Sequence, residues 1–242
     1  MMSDAVRYRP EKGEHKDAPD DYGEMLRAMA DPAYADFQSA LIPTVARERV
    51  LGVRMPELRA LAKRLASDKG KEGFYRALPH TYYDEDNLHG CLIAGERDFD
   101  RVIGLLDDFL PHIDNWATCD MLSPAVFRGH REALLPHIRR WMASDHLYTC
   151  RFGILNLMRH YLDKDFREEY PALVAAIPTE DYYLETMVAW YFATALAKQY
   201  EATIPYIRER RLSPGAHRRA IRKARESLRL TAEQKAYLFS LR

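Results

Sequence analysis

The chain has 242 residues, of which 47% are apolar, and it carries 36 basic and 36 acidic side chains. This length supports a substantial buried core in one large domain or two small ones. No apolar run approaches the roughly 20 residues that cross a bilayer, and the charged N-terminus lacks the apolar segment of a secretory leader. We therefore expect a soluble, cytoplasmic protein with no membrane partner.

The motif content excludes several common chemistries. The three cysteines, Cys91, Cys119 and Cys150, form no Cys-x-x-Cys pair, which disfavours a disulfide framework or a structural zinc site. The sequence also contains no glycine-rich phosphate loop, no His-Glu-x-x-His motif and no Gly-x-Ser-x-Gly elbow. These absences disfavour a metal site, a nucleotide-binding fold and hydrolysis through a serine.

Residues 1–20 are dense in charge and have too few apolar side chains to form a core, so we predict a flexible segment there. Residues 21–242 are predicted to form a single domain of helices. Short acidic residues stand just before several apolar stretches and are candidate helix N-caps, because their carboxylates accept hydrogen bonds from first-turn amides. These candidates are Asp86, Asp114, Asp145 and Asp181.

A weak internal echo runs through the middle of the chain. The segment Trp116–Asp120 aligns with Leu147–Arg151 at an offset of 31 residues, and the latter aligns with Tyr182–Thr186 at an offset of 35. A further helix is predicted between the first two segments, after Pro136. Units of about 30 to 40 residues with one inner and one outer helix are typical of HEAT-type repeats, which bury their apolar faces against each other. We predict an all-α solenoid.

The segment Asp114–Asp120 contains the strongest candidate for chemistry. On a helix, Trp116 and Asp120 lie four residues apart on one face. An indole face attracts positive charge and a nearby carboxylate adds a countercharge, so the pair suits a cationic target. A core Trp beside a solvated Asp would have the same spacing. If the inner helices share one surface, Arg151 and Trp190 converge on the pair; the alternatives are a core position for Trp190 and a local acidic partner for Arg151.

The C-terminal part of the chain is strongly basic. From residue 201 onward it has 11 Lys and Arg residues against 4 Glu residues, a net charge of +7, whereas the preceding residues carry −7. Ser213 and Pro214 predict a helix start. Four basic side chains follow in i, i+4 pairs of like charge: Arg218, Arg219, Arg222 and Lys223. Phosphate binding requires such a cluster, and a solvated terminal helix is the alternative.

Five segments in chain order resemble a known family. They are Leu51–Arg59, Asn115–Asp120, Arg151, Ala189–Trp190 and Leu212–Arg222. Together they extend over roughly residues 22–242 and are similar to the bacterial DNA alkylation repair family, the AlkC/AlkD-like HEAT-repeat alkylpurine DNA glycosylases. The ordered set, rather than any one segment, carries the resemblance.

The resemblance implies an all-helical solenoid with a concave, basic channel that binds duplex DNA containing alkylated bases. It implies excision of positively charged N-alkylated purines, of the 3-methyladenine and 7-methylguanine type, without metal or cofactor. By position, the resemblance makes Asp120 the catalytic carboxylate, packs Trp116 and Trp190 against the deoxyribose, and assigns a phosphate to Arg151. Arg54 and the four basic side chains of the C-terminal helix are expected to bind DNA as well, and we expect a monomer.

Two positions depart from the family's pattern. An aromatic doublet of the active glycosylases is reduced here to Asn115-Trp116, and Pro43 or Thr44 stands where those enzymes have a Tyr ahead of Gly52. The family also has branches that resemble the glycosylases but lack excision activity. A non-catalytic module that binds damaged or branched DNA is therefore the second hypothesis, and a protein–protein scaffold on the same solenoid is the third.

Overall fold

The computed structural model describes residues 22–242. Within that range the chain forms helices and turns without a strand, which confirms the predicted all-α class. The flexible segment predicted at residues 1–20 lies outside the described residues. No helix between residues 22 and 242 has both the length and the apolar character needed to cross a membrane.

Fourteen α-helices make up most of residues 22–242. Their bounds are α1 Tyr22–Arg27, α2 Pro32–Leu41, α3 Met55–Leu65, α4 Lys71–Arg76, α5 Tyr83–Gly95, α6 Phe99–Phe109, α7 Trp116–Met121, α8 Arg131–Met142, α9 Leu147–Tyr161, α10 Glu169–Ala175, α11 Tyr182–Lys198, α12 Tyr200–Arg208, α13 Pro214–Arg225 and α14 Ala232–Ser240. Short 3-10 turns cover Arg47–Arg49, Leu110–His112 and Ala125–Gly129.

Six helices form a central layer in which each contacts the next: α3, α5, α7, α9, α11 and α13. The remaining helices of the C-terminal two thirds pack on this layer, with α6 against α5, α8 against α9, α10 and α12 against α11, and α14 against α13. One apolar cluster runs continuously through these contacts from Tyr22 to Leu238. This is the pairing of helices expected for a helical-repeat protein, because each unit buries its apolar face against its neighbours.

The internal echo has a direct structural counterpart in the central layer. Hydrogen bonds between neighbouring helices join Thr118 to Asn87, 31 residues away, and Arg151 to Asp120, also 31 residues away. Arg151 also bonds to Tyr183, 32 residues further along the chain. Asp120 and Arg151, which the echo aligns at an offset of 31 residues, therefore lie side by side.

The helix starts differ from the predicted N-caps at several positions. Asp181 is an N-cap as expected, since its Oδ1 accepts from the backbone N–H of the second and third helical residues at 2.7 and 3.2 Å. Two of the other three predictions were wrong by one residue: Asn115 rather than Asp114 caps α7, and His146 rather than Asp145 caps α9. In both cases the residue that caps the helix, Asn115 or His146, has the extended backbone conformation typical of an N-cap.

Two further expectations about helix ends were wrong. Asp86 is not a cap, because α5 begins at Tyr83 and encloses Asp86 in its first turn, where it is buried. The helix predicted to follow Pro136 begins earlier, at Arg131, and contains the proline at its sixth position. The proline removes one intrahelical hydrogen bond, and the helix nevertheless continues to Met142.

The loop before α3 contains the start of Leu51–Arg59, the first of the segments that resemble the family, and its geometry explains the glycine there. Gly52 has a φ of +84°, and a Cβ atom there would lie 2.3 Å from the carbonyl oxygen of Asp31. The buried carboxylate of Asp84 accepts hydrogen bonds at 2.7 Å from the backbone N–H groups of both Leu51 and Val53. The loop is therefore fixed to α5 on both sides of a position that only glycine can occupy without strain.

Candidate functional site

Helix α7 is short, and a buried polar network fixes its first turn. Asn115 caps it, accepting from the backbone N–H of Thr118 at 2.8 Å and donating to the Thr118 hydroxyl at 3.1 Å. That hydroxyl in turn donates to the amide oxygen of Asn87 on α5 at 2.9 Å. Since these three side chains are buried, the network holds α7 in one orientation against α5.

Trp116 begins α7 and is half-buried. Its ring packs against the main apolar cluster and also against a smaller cluster formed by α2, the following loop and α5. Its indole Nε1 donates to the carbonyl oxygen of Leu41 at 3.0 Å. The indole therefore anchors α2 to α7, and its N–H group is already occupied.

Asp120, at the other end of α7, forms a two-pronged ion pair with Arg151 of α9. The guanidinium Nε donates to Oδ1 at 2.9 Å, and Nη2 donates to Oδ2 at 2.6 Å. The carboxylate side chain is 16% exposed and the guanidinium side chain 6%. Burial by itself would lower the pKa of Arg151, but the hydrogen bonds and charge of Asp120 outweigh it, and the net effect raises that pKa.

The remaining guanidinium nitrogen of Arg151 is occupied as well. Its Nη1 donates to the carbonyl oxygen of Tyr183 on α11 at 2.6 Å. Arg151 is thus buried, and each of its three guanidinium nitrogens makes one hydrogen bond inside the protein. Asp120 is the local acidic partner that the sequence left open, and a phosphate contact by Arg151 stays a prediction.

Arg159 is a site residue that the sequence reasoning missed. Its Nη2 donates to the backbone carbonyl of Asp120 at 2.6 Å and its Nη1 to that of Leu122 at 3.0 Å. A cation at a helix C-terminus satisfies free carbonyls and complements the helix dipole. The spacing of the two arginines could have indicated this role, because Arg159 follows Arg151 by eight residues and so lies on the same face of α9.

Trp190 lies on α11, two helices along the central layer from the helix that carries Asp120. Its side chain is 37% exposed, so it is not a core residue, and it lines an open cavity of about 430 Å³ with Thr194, Lys223 and Arg229. Neither Asp120 nor Arg151 lines this cavity. The structure thus joins Asp120 to Arg151 and keeps Trp116 on the same helix as Asp120, while Trp190 lines a cavity to which neither member of the pair contributes.

The C-terminal basic helix begins as predicted. Ser213 caps α13, accepting from the backbone N–H of Ala216 at 3.3 Å, and Pro214 is the first helical residue. Two of its basic side chains, Arg218 and Arg222, are exposed and have no ion-pair partner in the part of the chain that the structure describes. They are therefore free to bind an anion.

The other two basic side chains of α13 have acidic partners. Arg219 donates from Nε to Glu185 at 2.9 Å, and its guanidinium lies 4.8 Å from the ring centroid of Tyr182. Lys223 donates to Glu226 at 2.9 Å, but both of these side chains are well exposed. A surface pair of this kind is worth at most about 1 kcal/mol, so phosphates can compete for Lys223.

An arginine-rich cavity of about 340 Å³ opens at the first turn of α13. Its lining consists of Glu185, Gly215, Arg218, Arg219, Arg222 and Arg242. The Glu185 carboxylate lies directly over Gly215, where a Cβ atom would be only 1.8 Å from Oε2. Four guanidinium groups and one carboxylate give the cavity a net positive charge, and Arg242 is a member that the sequence did not identify.

Arg54, the expected DNA-binding residue near the N-terminus, is engaged within the protein. Its Nη2 donates to Asp31 at 2.9 Å, and its guanidinium lies 4.3 Å from the ring centroid of Tyr34. The side chain is nevertheless 55% exposed. A phosphate contact by Arg54 therefore competes with Asp31.

A second polar cluster lies in the core beneath α5. His80 and His89 are both buried, with the Nε2 atom of one 2.8 Å from the Nδ1 atom of the other. Burial lowers the pKa of His80 to about 4, which keeps this imidazole neutral near pH 7. No set of three or more His, Cys, Asp or Glu side chains is arranged to hold a metal ion within residues 22–242.

Fold and site together define an all-helical repeat protein whose central layer carries a partly exposed, arginine-bound carboxylate and two arginines that have no ion-pair partner within residues 22–242. Residues 23–228 match the family model described as DNA alkylation repair enzyme, and the chain belongs to that family, as its five resembling segments indicated. A comparison with individual curated proteins found no match. Membership places the protein in DNA alkylation repair, describes it as an enzyme and implies that it binds DNA.

Proposed function

We propose that the protein is a DNA glycosylase that excises positively charged N-alkylated purines, of the 3-methyladenine and 7-methylguanine type, from duplex DNA. The observation that carries this proposal is the carboxylate of Asp120, oriented by Arg151 and still partly open to solvent. The proposal rests also on the family to which the chain belongs.

Release of an N-alkylated purine from its sugar requires few catalytic groups. An N-alkylated purine already carries a positive charge, so it leaves without being protonated. What remains is to stabilise the oxocarbenium-like sugar and to direct a water molecule, and a fixed carboxylate can do both electrostatically. Arg151 and Arg159 act here as positioning residues, since one holds the Asp120 carboxylate and the other its backbone carbonyl.

The two tryptophans complete the proposed catalytic set. The family pattern packs Trp116 and Trp190 against the deoxyribose of the lesion. Trp116 shares the six-residue helix α7 with Asp120, which places the indole and the carboxylate within one helical turn of each other. Trp190 has an exposed ring next to Lys223 and Arg229, so a sugar that reaches it would have its phosphates beside cationic side chains.

DNA binding is assigned to the basic side of the central layer. We propose that Arg218 and Arg222, which lack ion-pair partners in the described chain, bind phosphates, with Arg219 and Lys223 joining them when their acidic partners are displaced. The solenoid would then present a HEAT-like, concave channel to the duplex. Arg54 is a further contact in this scheme, in competition with Asp31.

Base release from methylated duplex DNA tests the enzyme proposal. Wild-type protein should release 3-methyladenine or 7-methylguanine, and Asp120→Asn should abolish release while retaining DNA binding. Asp145→Asn is the matched control, because Asp145 is exposed and lies outside the site. Thermal unfolding of each variant separates catalytic loss from misfolding. Release that survives Asp120→Asn would reject the assigned role of this carboxylate.

One observation favours a non-catalytic DNA-binding module as the second candidate. Both carboxylate oxygens of Asp120 are bonded to Arg151, so the acid is partly neutralised before any substrate arrives. A protein that binds methylated duplexes or DNA junctions but releases no alkylated base would support this second function.

A further inference from the structure

The cavity on the N-terminal side of Asp120 contains two basic residues of α3. Its volume is about 440 Å³, and it lies between α3, α5 and the residues that follow Asp120. Met121 and Ser123 form one wall, so the cavity starts one residue after the proposed catalytic carboxylate. Arg59 and Lys63 of α3 line the same cavity.

These two cations are free in the described chain. Arg59 and Lys63 are exposed, and neither takes part in an ion pair between residues 22 and 242. The other charges of the cavity cancel, because Lys71 donates to Glu96 at 2.7 Å and both side chains are mostly buried. The cavity therefore keeps a net positive charge that nothing in the described chain satisfies.

The packing of α3 keeps both cations on one side of the helix. Its apolar face, with Leu58, Leu61, Ala62 and Leu65, is buried, which directs Arg59 and Lys63 outward at i, i+4 spacing. Like charges at that spacing destabilise a helix, a cost that a bound anion removes.

The position of α3 in the central layer sets the geometry. Helices α3 and α5 lie on one side of α7, and α9, α11 and α13 lie on the other, so Arg59 and Lys63 flank Asp120 opposite to Arg218 and Arg222. A DNA strand that crosses the layer with its lesion at Asp120 would meet cations on both sides. Phosphodiester groups fit this chemistry, since Lys and Arg are the usual phosphate-binding side chains.

We propose that Arg59 and Lys63 form a second phosphate-binding site, which holds the DNA backbone on the N-terminal side of Asp120. The inference rests on the proposed binding of duplex DNA by the central layer. On the N-terminal side of Asp120, the sequence analysis expected a DNA contact from Arg54 only. Ser123 supplies a hydroxyl donor in the same cavity.

The test is the salt dependence of duplex binding, measured by fluorescence anisotropy. The double variant Arg59→Gln/Lys63→Gln should lower the slope of log affinity against log salt by about two units, because each phosphate contact contributes about 0.9. Over a fourfold range of salt, the loss of affinity should then be about tenfold smaller than for the wild type. The charge-preserving variant Arg59→Lys/Lys63→Arg should keep the wild-type slope.

Arg64→Gln is the matched control. Arg64 is exposed on the same helix but does not line the cavity, so its removal changes the net charge without removing a proposed contact. An unchanged slope in the Arg59/Lys63 double variant, or an equal change per residue in Arg64→Gln, would overturn the inference.

The outcomes also separate this inference from the proposed glycosylase. If the slope falls as expected but wild-type protein releases no base, the phosphate site stands and the glycosylase fails. If the slope is unchanged while Asp120-dependent base release occurs, the glycosylase stands and the site fails. Wild-type protein without measurable duplex affinity would remove both. Because the two side chains are exposed, thermal unfolding should be unaffected; should the double variant misfold, Lys63→Gln alone is expected to lower the slope by about one unit.

Discussion

Arg151 donates hydrogen bonds to both carboxylate oxygens of Asp120, with donor–acceptor distances of 2.9 and 2.6 Å, and so joins α9 to α7 in the central layer. The same guanidinium reaches the first turn of α11 through the carbonyl of Tyr183. One buried side chain therefore positions the proposed catalytic acid and connects three consecutive repeats. Its loss should affect stability and chemistry together.

Replacing Arg151 by Met should destabilise the protein. Removal of one partner from a buried ion pair costs about 3 to 5 kcal/mol, and the partial exposure of Asp120, which lets it regain water, places the expected loss near the lower end. Urea unfolding measures the effect. Arg140→Met is the control, because the pair between Arg140 and Asp107 is exposed and should cost less than about 1 kcal/mol. Equal losses in the two variants would contradict a structural role for the Asp120–Arg151 pair.

Replacing Gly52 by Ala should also destabilise the fold. The positive φ and the backbone carbonyl of Asp31 leave no space for a Cβ atom, so we expect a loss of more than about 1 kcal/mol. Gly104→Ala should act in the opposite direction: this helical glycine has open space around its Cβ position, and alanine there should add about 0.5 to 1 kcal/mol. Chemical denaturation of both variants checks the pair, and a neutral Gly52→Ala would mean that the loop can rearrange.

Neutralising Glu185 should strengthen DNA binding. Its carboxylate binds Arg219 at 2.9 Å inside the arginine-rich cavity, so Glu185→Gln should release that guanidinium for a phosphate. The salt slope of duplex binding should become steeper by about one unit. Glu201→Gln provides the comparison, since Glu201 is exposed on α12, outside the cavity. A slope that stays at the wild-type value would show that Arg219 remains outside the DNA interface.

Stability should depend on pH through Asp86. Burial raises the pKa of this carboxyl from about 3.8 to about 8; the Arg49 guanidinium opposes the rise and Asp114 adds to it. Between these values the folded protein keeps a proton that the unfolded chain has released, so this group makes the free energy of unfolding fall as the pH rises through that window. Asp86→Asn should remove this loss.

Unfolding in urea at pH 5 and pH 8 measures that contribution. The difference in the free energy of unfolding between the wild type and Asp86→Asn isolates the contribution of Asp86 from that of other groups. One such group is His80, whose pKa is lowered by burial and whose effect on stability has the opposite sign. Asp36→Asn serves as the exposed control. A difference between wild type and Asp86→Asn that does not change with pH would mean that Asp86 titrates alike in the folded and unfolded chain.

The local pattern of the sequence was sufficient for the helical class, for the start of α13 at Ser213 and Pro214, and for the pairing of equivalent repeat positions. Helix period and repeat length act over a few residues or one repeat, so they can be read directly from the chain, whereas capping chemistry identified the starts at Asp181 and Ser213 and misplaced three others. The 31-residue echo already placed Asp120 and Arg151 at matching positions, which is where the structure joins them.

Only the tertiary structure decided which partner each charged residue has. The sequence left the local partner of Arg151 open, and the packing of α7 against α9 makes it Asp120. The same holds for the contact of Arg159 with the end of α7 and for the burial of Asp86 inside α5. Each outcome depends on how neighbouring helices are rotated about their axes. That rotation is set by core packing between residues more than 30 positions apart, and a local sequence pattern carries no record of it.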